Sequence, residues 1–167
     1  MTNRKRRKGA LVLALAIAVF ILLNNVLAIA QEKNSTPIFE DVTLNPDFAP
    51  DPMTIRGLSG GFVVAKETAG REETVTGPCI GFIDEKPDHK LVLRTFFEYL
   101  SIQVKSTEDT TLIIRGPGGT WCNDDYEGKN PGIVGQWLSG NYDIWVGSYE
   151  RHKYSPYIIR ISQKNLQ

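Results

Sequence analysis

Two unlike hydrophobic patterns divide the chain. From Gly9 to Leu23 every residue is uncharged and nearly all are apolar; Asn24 and Asn25 interrupt the run, and Val26 to Ala30 resumes it. Beyond residue 52 short apolar stretches alternate with Gly, Pro, Asn and Asp, which is the all-β pattern. Leu100, Ile102 and Val104 oppose Tyr99, Ser101, Gln103 and Lys105, while Tyr142, Ile144 and Val146 oppose Asp143, Trp145 and Gly147. A period of two gives a strand one buried and one wet face. The pattern predicts strands over 53–57, 62–66, 79–83, 90–95, 99–105, 111–115, 120–123, 133–138, 141–148 and 157–162. Turn residues stand between them at Gly116-Pro117-Gly118-Gly119 and Ser139-Gly140-Asn141. The expected fold is all-β: a two-sheet β-sandwich or jelly roll of about eight to ten short antiparallel strands, preceded by an N-terminal signal helix.

The domain boundaries follow from the same pattern. Arg4, Lys5, Arg6, Arg7 and Lys8 precede the apolar run, and Ala28-Ile29-Ala30 closes it with small residues. A basic head, an apolar core and an A-x-A site describe a signal peptide over residues 1–30. The 22 residues from Gly9 to Ala30 also reach the length of about 20 that spans a bilayer. The alternative is therefore a retained signal anchor, which would make the protein a structural envelope component tethered by its N-terminal helix. The two asparagines and the A-x-A site favour cleavage, and membrane contact is expected only if the segment is retained. Either way the remainder is expected outside the cytoplasm: periplasmic, at the cell surface or secreted. Residues 31–52 contain Pro37, Pro46, Pro50 and Pro52 and read as an extended lead-in. Residues 53–167 are the expected sandwich domain.

Charge changes meaning once the two pieces are separated. The whole chain has 19 basic and 19 acidic residues, but five bases lie in the export segment. Residues 31–167 hold all 19 acids against 14 bases, a net charge of −5. Such a domain repels phosphate backbones, so nucleic acid is not an expected partner. Cys79 and Cys122, an even pair in an exported chain, favour a disulfide over two separate buried thiols. His89 and His152 do not stand at zinc-site spacings and are expected at the surface.

Three segments could carry chemistry. Gly57-Leu58-Ser59-Gly60-Gly61 matches G-x-S-x-G, but a nucleophile elbow needs a helix after the turn, and a strand-like Phe62-Val63-Val64-Ala65 follows. A glycine-rich turn is the expected reading, and a small serine hydrolase using Ser59 with His89 or His152 is the enzymatic alternative. Asn123-Asp124-Asp125-Tyr126-Glu127-Gly128 sets oxygen ligands as in the first half of an EF-hand loop, but the twelfth position is Val134 and strands flank it. Clustered carboxylates can still hold Ca2+, with Asp109 and Asn130 adding oxygens; the alternative is an Asx-rich turn capping its own backbone. All three tryptophans and five of six tyrosines lie between Trp121 and Tyr157. Trp121, Tyr126, Trp145 and Tyr149 are candidates for an exposed platform that recognises a glycan or a protein; alternatively these rings pack the second sheet. Trp145 shares a strand face with Asp143, which suggests partial exposure.

The stretch Asp109 to Asp125, D-T-T-L-I-I-R-G-P-G-G-T-W-C-N-D-D, followed by Asn130-Pro131-Gly132 and by G-N-Y-D-I-W-V-G-S-Y from Gly140 to Tyr149, resembles bacterial pre-peptidase C-terminal (PPC-like) domains. Their pattern runs D-T-x-L, a glycine turn, D-D, a further strand, then G-x-Y-x-x-x-V. The related clostridial collagen-binding modules share the same jelly roll. The likeness covers roughly residues 53–162. It implies an exported, usually noncatalytic accessory module, sometimes calcium-stabilised, with Asp109, Asp124 and Asp125 at the matching acidic positions. Such modules are usually appended to a protease, and these 167 residues contain no protease domain.

Overall fold

A computed structural model of the chain describes residues 38–164, and the predicted signal segment lies outside the described residues. In chain order the strands begin with β1 (Val42–Leu44), β2 (Met53–Ser59), β3 (Val63–Val64), β4 (Glu73–Thr74), β5 (Gly77–Pro78), β6 (Phe82–Ile83) and β7 (His89–Leu93). They continue with β8 (Phe97–Ser106), β9 (Thr110–Gly116), β10 (Gly119–Asn123), β11 (Gly132–Trp137), β12 (Gly140–Ser148) and β13 (Ser155–Ser162). One short helix, α1 (Ala65–Ala69), follows β3. Seven strands form one sheet, ordered β1-β7-β12-β6-β3, with β9 also pairing β12 and β10 pairing β9. A second sheet runs β11-β8-β13-β2, and β4-β5 is a small separate ribbon.

The two main sheets face each other across one apolar layer. Leu112, Ile114, Tyr142, Ile144 and Val146 come from the first sheet; Ile55, Leu100, Ile102, Val104, Ile159 and Ile161 come from the second. Their alternation along each strand is the period of two read from the sequence, and the β-sandwich is the expected fold. Each such side chain contributes about 1.5–3 kcal/mol when fully buried. The Gly116–Gly119 turn closes the β9–β10 hairpin, with Gly118 at φ 95° and Gly119 at φ 138°. Within the proline-bearing stretch 31–52, β1 pairs in parallel with β7 through Val42↔Leu91 and Leu44↔Leu93, so Val42 and Leu44 enter the core.

Three expectations are corrected. The predicted strand 62–66 keeps only β3, because Ala65 and Ala69 stand one helical turn apart and both bury on the same side of α1. Gly70 then ends the helix at φ 72°, its N–H returning to Lys66 O. The predicted strand 79–83 is broken by Gly81 at φ 90°, where a Cβ would lie 2.7 Å from Ser148 O. The wet face expected for β12 is instead covered. Cys122, Ile113 and Trp145 stand in register across β10, β9 and β12 and pack under Val63, Ala65, Ala69, Cys79 and Ile83. Residues 63–83 thus form a cap on the outside of the sheet, stapled to β10 by the Cys79–Cys122 disulfide.

Candidate binding surfaces and the acidic loop

The loop from β10 to β11 carries the acidic cluster. Thr110 N–H donates to Lys129 O at 3.3 Å, holding this loop against the start of β9 and bringing Asp109 towards it. Asp124 is buried, and its Oδ1 has no hydrogen-bond partner; the same holds for Asp109 Oδ1. Burial first, then the charges of Asp125 and Asp109, pushes the Asp124 carboxyl up to about 6. Burial and the Asp125 charge also raise Asp109. The three carboxylates therefore feel one another. The two asparagines are engaged elsewhere. Asn123 donates Nδ2 to Thr76 O at 2.7 Å and accepts Gly132 N–H on Oδ1 at 2.9 Å. Asn130 Oδ1 accepts Ser106 N–H at 2.9 Å. Among the described residues no three His, Cys, Asp or Glu side chains are grouped so as to hold a metal by themselves. The orphaned oxygens of Asp109 and Asp124 suit a hard cation in charge and ligand type, provided water or main-chain oxygens complete its shell.

The four candidate aromatics separate. Trp145 is only 4% exposed, so its expected partial exposure is corrected: the disulfide-stapled cap covers that face of β12. The Arg115 guanidinium lies 5.4 Å from its ring centroid. Trp121 is half-buried and packs against Trp137 and Tyr142, with centroids 5.7 and 6.3 Å away. Tyr126 and Tyr149 remain exposed, at 47% and 51%. A second exposed aromatic group lies outside the four candidates. Phe62, 62% exposed, contacts His152 at 5.4 Å and Tyr154 at 6.3 Å between ring centroids. Its signal was Gly60-Gly61 immediately before it, which lifts the ring out on a turn rather than a strand.

The polar groups considered for catalysis do not meet as a triad. Ser59 is buried at the end of β2, and its Oγ donates to Ser155 O at 3.1 Å. His152 is exposed against Phe62. His89, expected at the surface, is instead fully buried. The reason is its place at the first position of β7, where Nδ1 meets Glu40 O and Nε2 meets the Tyr157 hydroxyl, both at 2.8 Å. Burial lowers the His89 pKa and, with the nearby Asp88 and Asp84 charges, raises that of Tyr157. Asp88, also fully buried, accepts Val146 N–H on Oδ2 at 2.7 Å and leaves Oδ1 unpartnered. Burial chiefly, with Asp84 adding, pushes its carboxyl up to about 8. Asp88 and Tyr157 are not among the residues the chain's patterning points to; the polar Asp88-His89 pair opening an apolar strand is the signal that marks them.

No family model matches the chain. Among solved structures, it is similar to the pre-peptidase C-terminal domain of a Bacillus anthracis collagenase, the domain type its sequence resembles. That likeness has a TM-score of 0.47 and 12% identity, covering 77% of this chain and 99% of that one. PliG, a periplasmic inhibitor of g-type lysozyme from Aeromonas hydrophila, is similar at TM-score 0.42 and 12% identity, covering 76% and 98%. In sequence, the uncharacterized protein Synpcc7942_2126 of Synechococcus elongatus is 33% identical over 114 residues, 66% of this chain and 75% of that protein. At that identity and coverage, the chain belongs to the family of this Synechococcus elongatus protein.

Proposed function

We propose that the protein is an exported, noncatalytic β-sandwich module that binds a glycan or protein outside the cytoplasm. The observation that carries this reading is a division of labour among its polar and aromatic groups. The serine and histidine best placed for chemistry, Ser59 and His89, are buried and bonded to structural partners. Large rings, Tyr126 and Tyr149 among them, stand exposed. The Cys79–Cys122 bond supports export, since disulfides persist in oxidising compartments. Screening the purified, disulfide-intact chain against arrays of glycans and cell-surface proteins tests this. Saturable binding to one class is expected, and no binding above background overturns it. Labelling of Ser59 by a fluorophosphonate would overturn the noncatalytic part.

Calcium is the second part of the proposal. Asp109 and Asp124, each with an orphaned buried oxygen, would supply ligands, and Asp125 a further carboxylate. Asn123 and Asn130 would serve by shaping the loop through their bonds to Gly132 and Ser106. A bound ion would satisfy the orphans and offset the mutual repulsion of the carboxylates. Melting temperature should rise in millimolar calcium relative to chelator, by mass action on the folded state, and Asp124→Asn should diminish the rise. Superimposable melting curves for the wild-type chain would retire the ion.

A further inference from the structure

We propose that the outer face of the β11-β8-β13-β2 sheet binds an acidic polysaccharide carrying uronate carboxylates. This rests on the reading of the protein as a binding module and names its surface and ligand class. Two cross-strand rows build the face. In one, Gly132, Gln103, Arg160 and Thr54 stand in register across the four strands. Gly132 has no side chain, and the Tyr126 ring fills that place: a Cβ there would lie 2.9 Å from Tyr126 Cγ. The row therefore presents an exposed tyrosine ring, an amide, a guanidinium and a hydroxyl. In the next row Lys105, Ile158 and Arg56 are in register. This row opens into a groove of about 460 Å³, with Ile158 and Pro156 among its lining and Arg56 and Lys105 at its walls.

The charge of this face opposes that of the molecule. Residues 31–167 carry −5, yet these two rows hold three cations. Lys105 pairs with Glu127. Arg56 and Arg160 have no ion-pair partner among the described residues. The Lys105 hydrogen bond and charge chiefly, with the Arg160 charge adding, hold the Glu127 carboxyl below its usual range. Two unpaired guanidinium groups on neighbouring strands, two residues out of register, suit carboxylates repeated along an extended chain. The Tyr126 ring at the β11 end of the row, with β8 between it and Arg160, suits the C–H face of a sugar ring, and Gln103 and Thr54 suit its hydroxyls. The interior strands of this sheet, β8 and β13, are paired on both sides. Over these two strands the face offers side chains and no free backbone, whereas β11 and β2 are edge strands paired on one side only; a polyglutamate probe therefore serves as the peptide comparison.

Calorimetric titration of the purified full chain separates the outcomes. The probes are oligogalacturonate, its methyl ester with the same backbone and no charge, and polyglutamate of matched charge. The wild type should bind oligogalacturonate, and the affinity should fall as salt rises from about 0.05 to about 0.5 M. The methyl ester and the Arg56→Ala/Arg160→Ala variant should each weaken binding about tenfold or more, as expected for losing charge-assisted hydrogen bonds. Tyr126→Phe should retain binding, and Tyr126→Ala should lose several-fold. Equal affinity for ester and acid, an unaffected double variant, or polyglutamate binding as tightly as the uronate overturns the proposal. If the double variant keeps full binding to some other array ligand, only this face assignment fails; if the wild-type chain binds nothing at all, the binding-module reading fails with it. Because both arginines project outward and are unpaired, the double variant should keep the wild-type melting temperature, which confirms that lost binding is not unfolding.

Discussion

Asp88 closes a gap in the backbone ladder. Strand β12 pairs with β7 as far as Ile144↔His89 and meets β6 only at Ser148↔Phe82. Between these points the Asp88 carboxylate accepts Val146 N–H, and Val146 O accepts Gly60 N–H. The bond satisfies a buried donor, but the carboxylate is held with one oxygen unpartnered, so its charged form is disfavoured. A carboxyl raised from 3.8 to about 8 in the folded state retains its proton where the unfolded chain has lost it. Its contribution is fully present below the unfolded value and is lost as pH rises from about 4 to about 8. Asp88→Asn keeps an acceptor for Val146 and removes the titration. The variant should gain stability relative to wild type as pH rises across that window, measured by urea melts at pH 5 and pH 8.5; a constant difference would contradict the argument. Tyr157→Phe is the complementary change. It removes the hydroxyl that meets His89 Nε2 and should cost about 1–3 kcal/mol by stranding a buried ring nitrogen, with little loss of packing. Gly57 is fixed by the same tyrosine, since a Cβ there would fall 2.2 Å from the Tyr157 hydroxyl oxygen; Gly57→Ala should displace Tyr157 and destabilise the sandwich.

Among the elements, the cap over β9, β10 and β12 is the part whose order depends on a covalent link. Its strands are two residues long and its helix five, too short to stand alone. The cap is held by the small cluster around Trp145, by hydrogen bonds joining Thr74 and Thr76 to Cys122 and Asn123, and by the bond from Cys79 to Cys122, 43 positions apart. Closing a loop of that length stabilises by about 4 kcal/mol in the chain-entropy account. Reduction should therefore lower the melting temperature and speed amide exchange in residues 63–83 before it does so in β8 and β13. Uniform acceleration across the molecule would contradict a separately opening cap. The same element marks the limit of what the chain's patterning revealed. Strands such as β8 and β13 were legible because one face is buried and the residues alternate. The cap was not, because Ala65, Ala69, Cys79 and Ile83 bury through a helical turn and glycine-broken pieces that leave no period in the sequence. Trp145 was misplaced for the same reason: whether an outward strand position is wet depends on what later packs over it. His89 was misplaced differently: it takes the inward face of β7 with Leu91 and Leu93, where Tyr157 of the facing sheet meets its ring. The acidic loop was legible in composition, whereas the engagement of Asn123 and Asn130 in backbone bonds depends on tertiary neighbours that local patterning does not specify.

At the scale of the molecule, charge and covering divide the surface. One sheet is covered by the sandwich core and, over β9, β10 and β12, by the cap on its other side; the second sheet carries Arg56, Arg160, Lys105 and Tyr126 on its outer face. Neutrality of the full chain hides this arrangement, because the basic head of residues 4–8 balances an acidic remainder. Export should remove that head: mass spectrometry of the protein recovered from cells should find Gln31 at the N-terminus, and an intact Met1 or Thr2 would indicate a tethered form. The open basic face of an acidic molecule is the feature on which the functional account converges. It is tested most directly by following backbone amide resonances of the isotope-labelled, disulfide-intact chain during titration with oligogalacturonate. The account predicts saturable shifts concentrated at Thr54, Arg56, Gln103, Lys105, Tyr126 and Arg160, with Ser59 and His89 unmoved. Absence of saturable shifts, or shifts centred on Ser59 and His89, would contradict it.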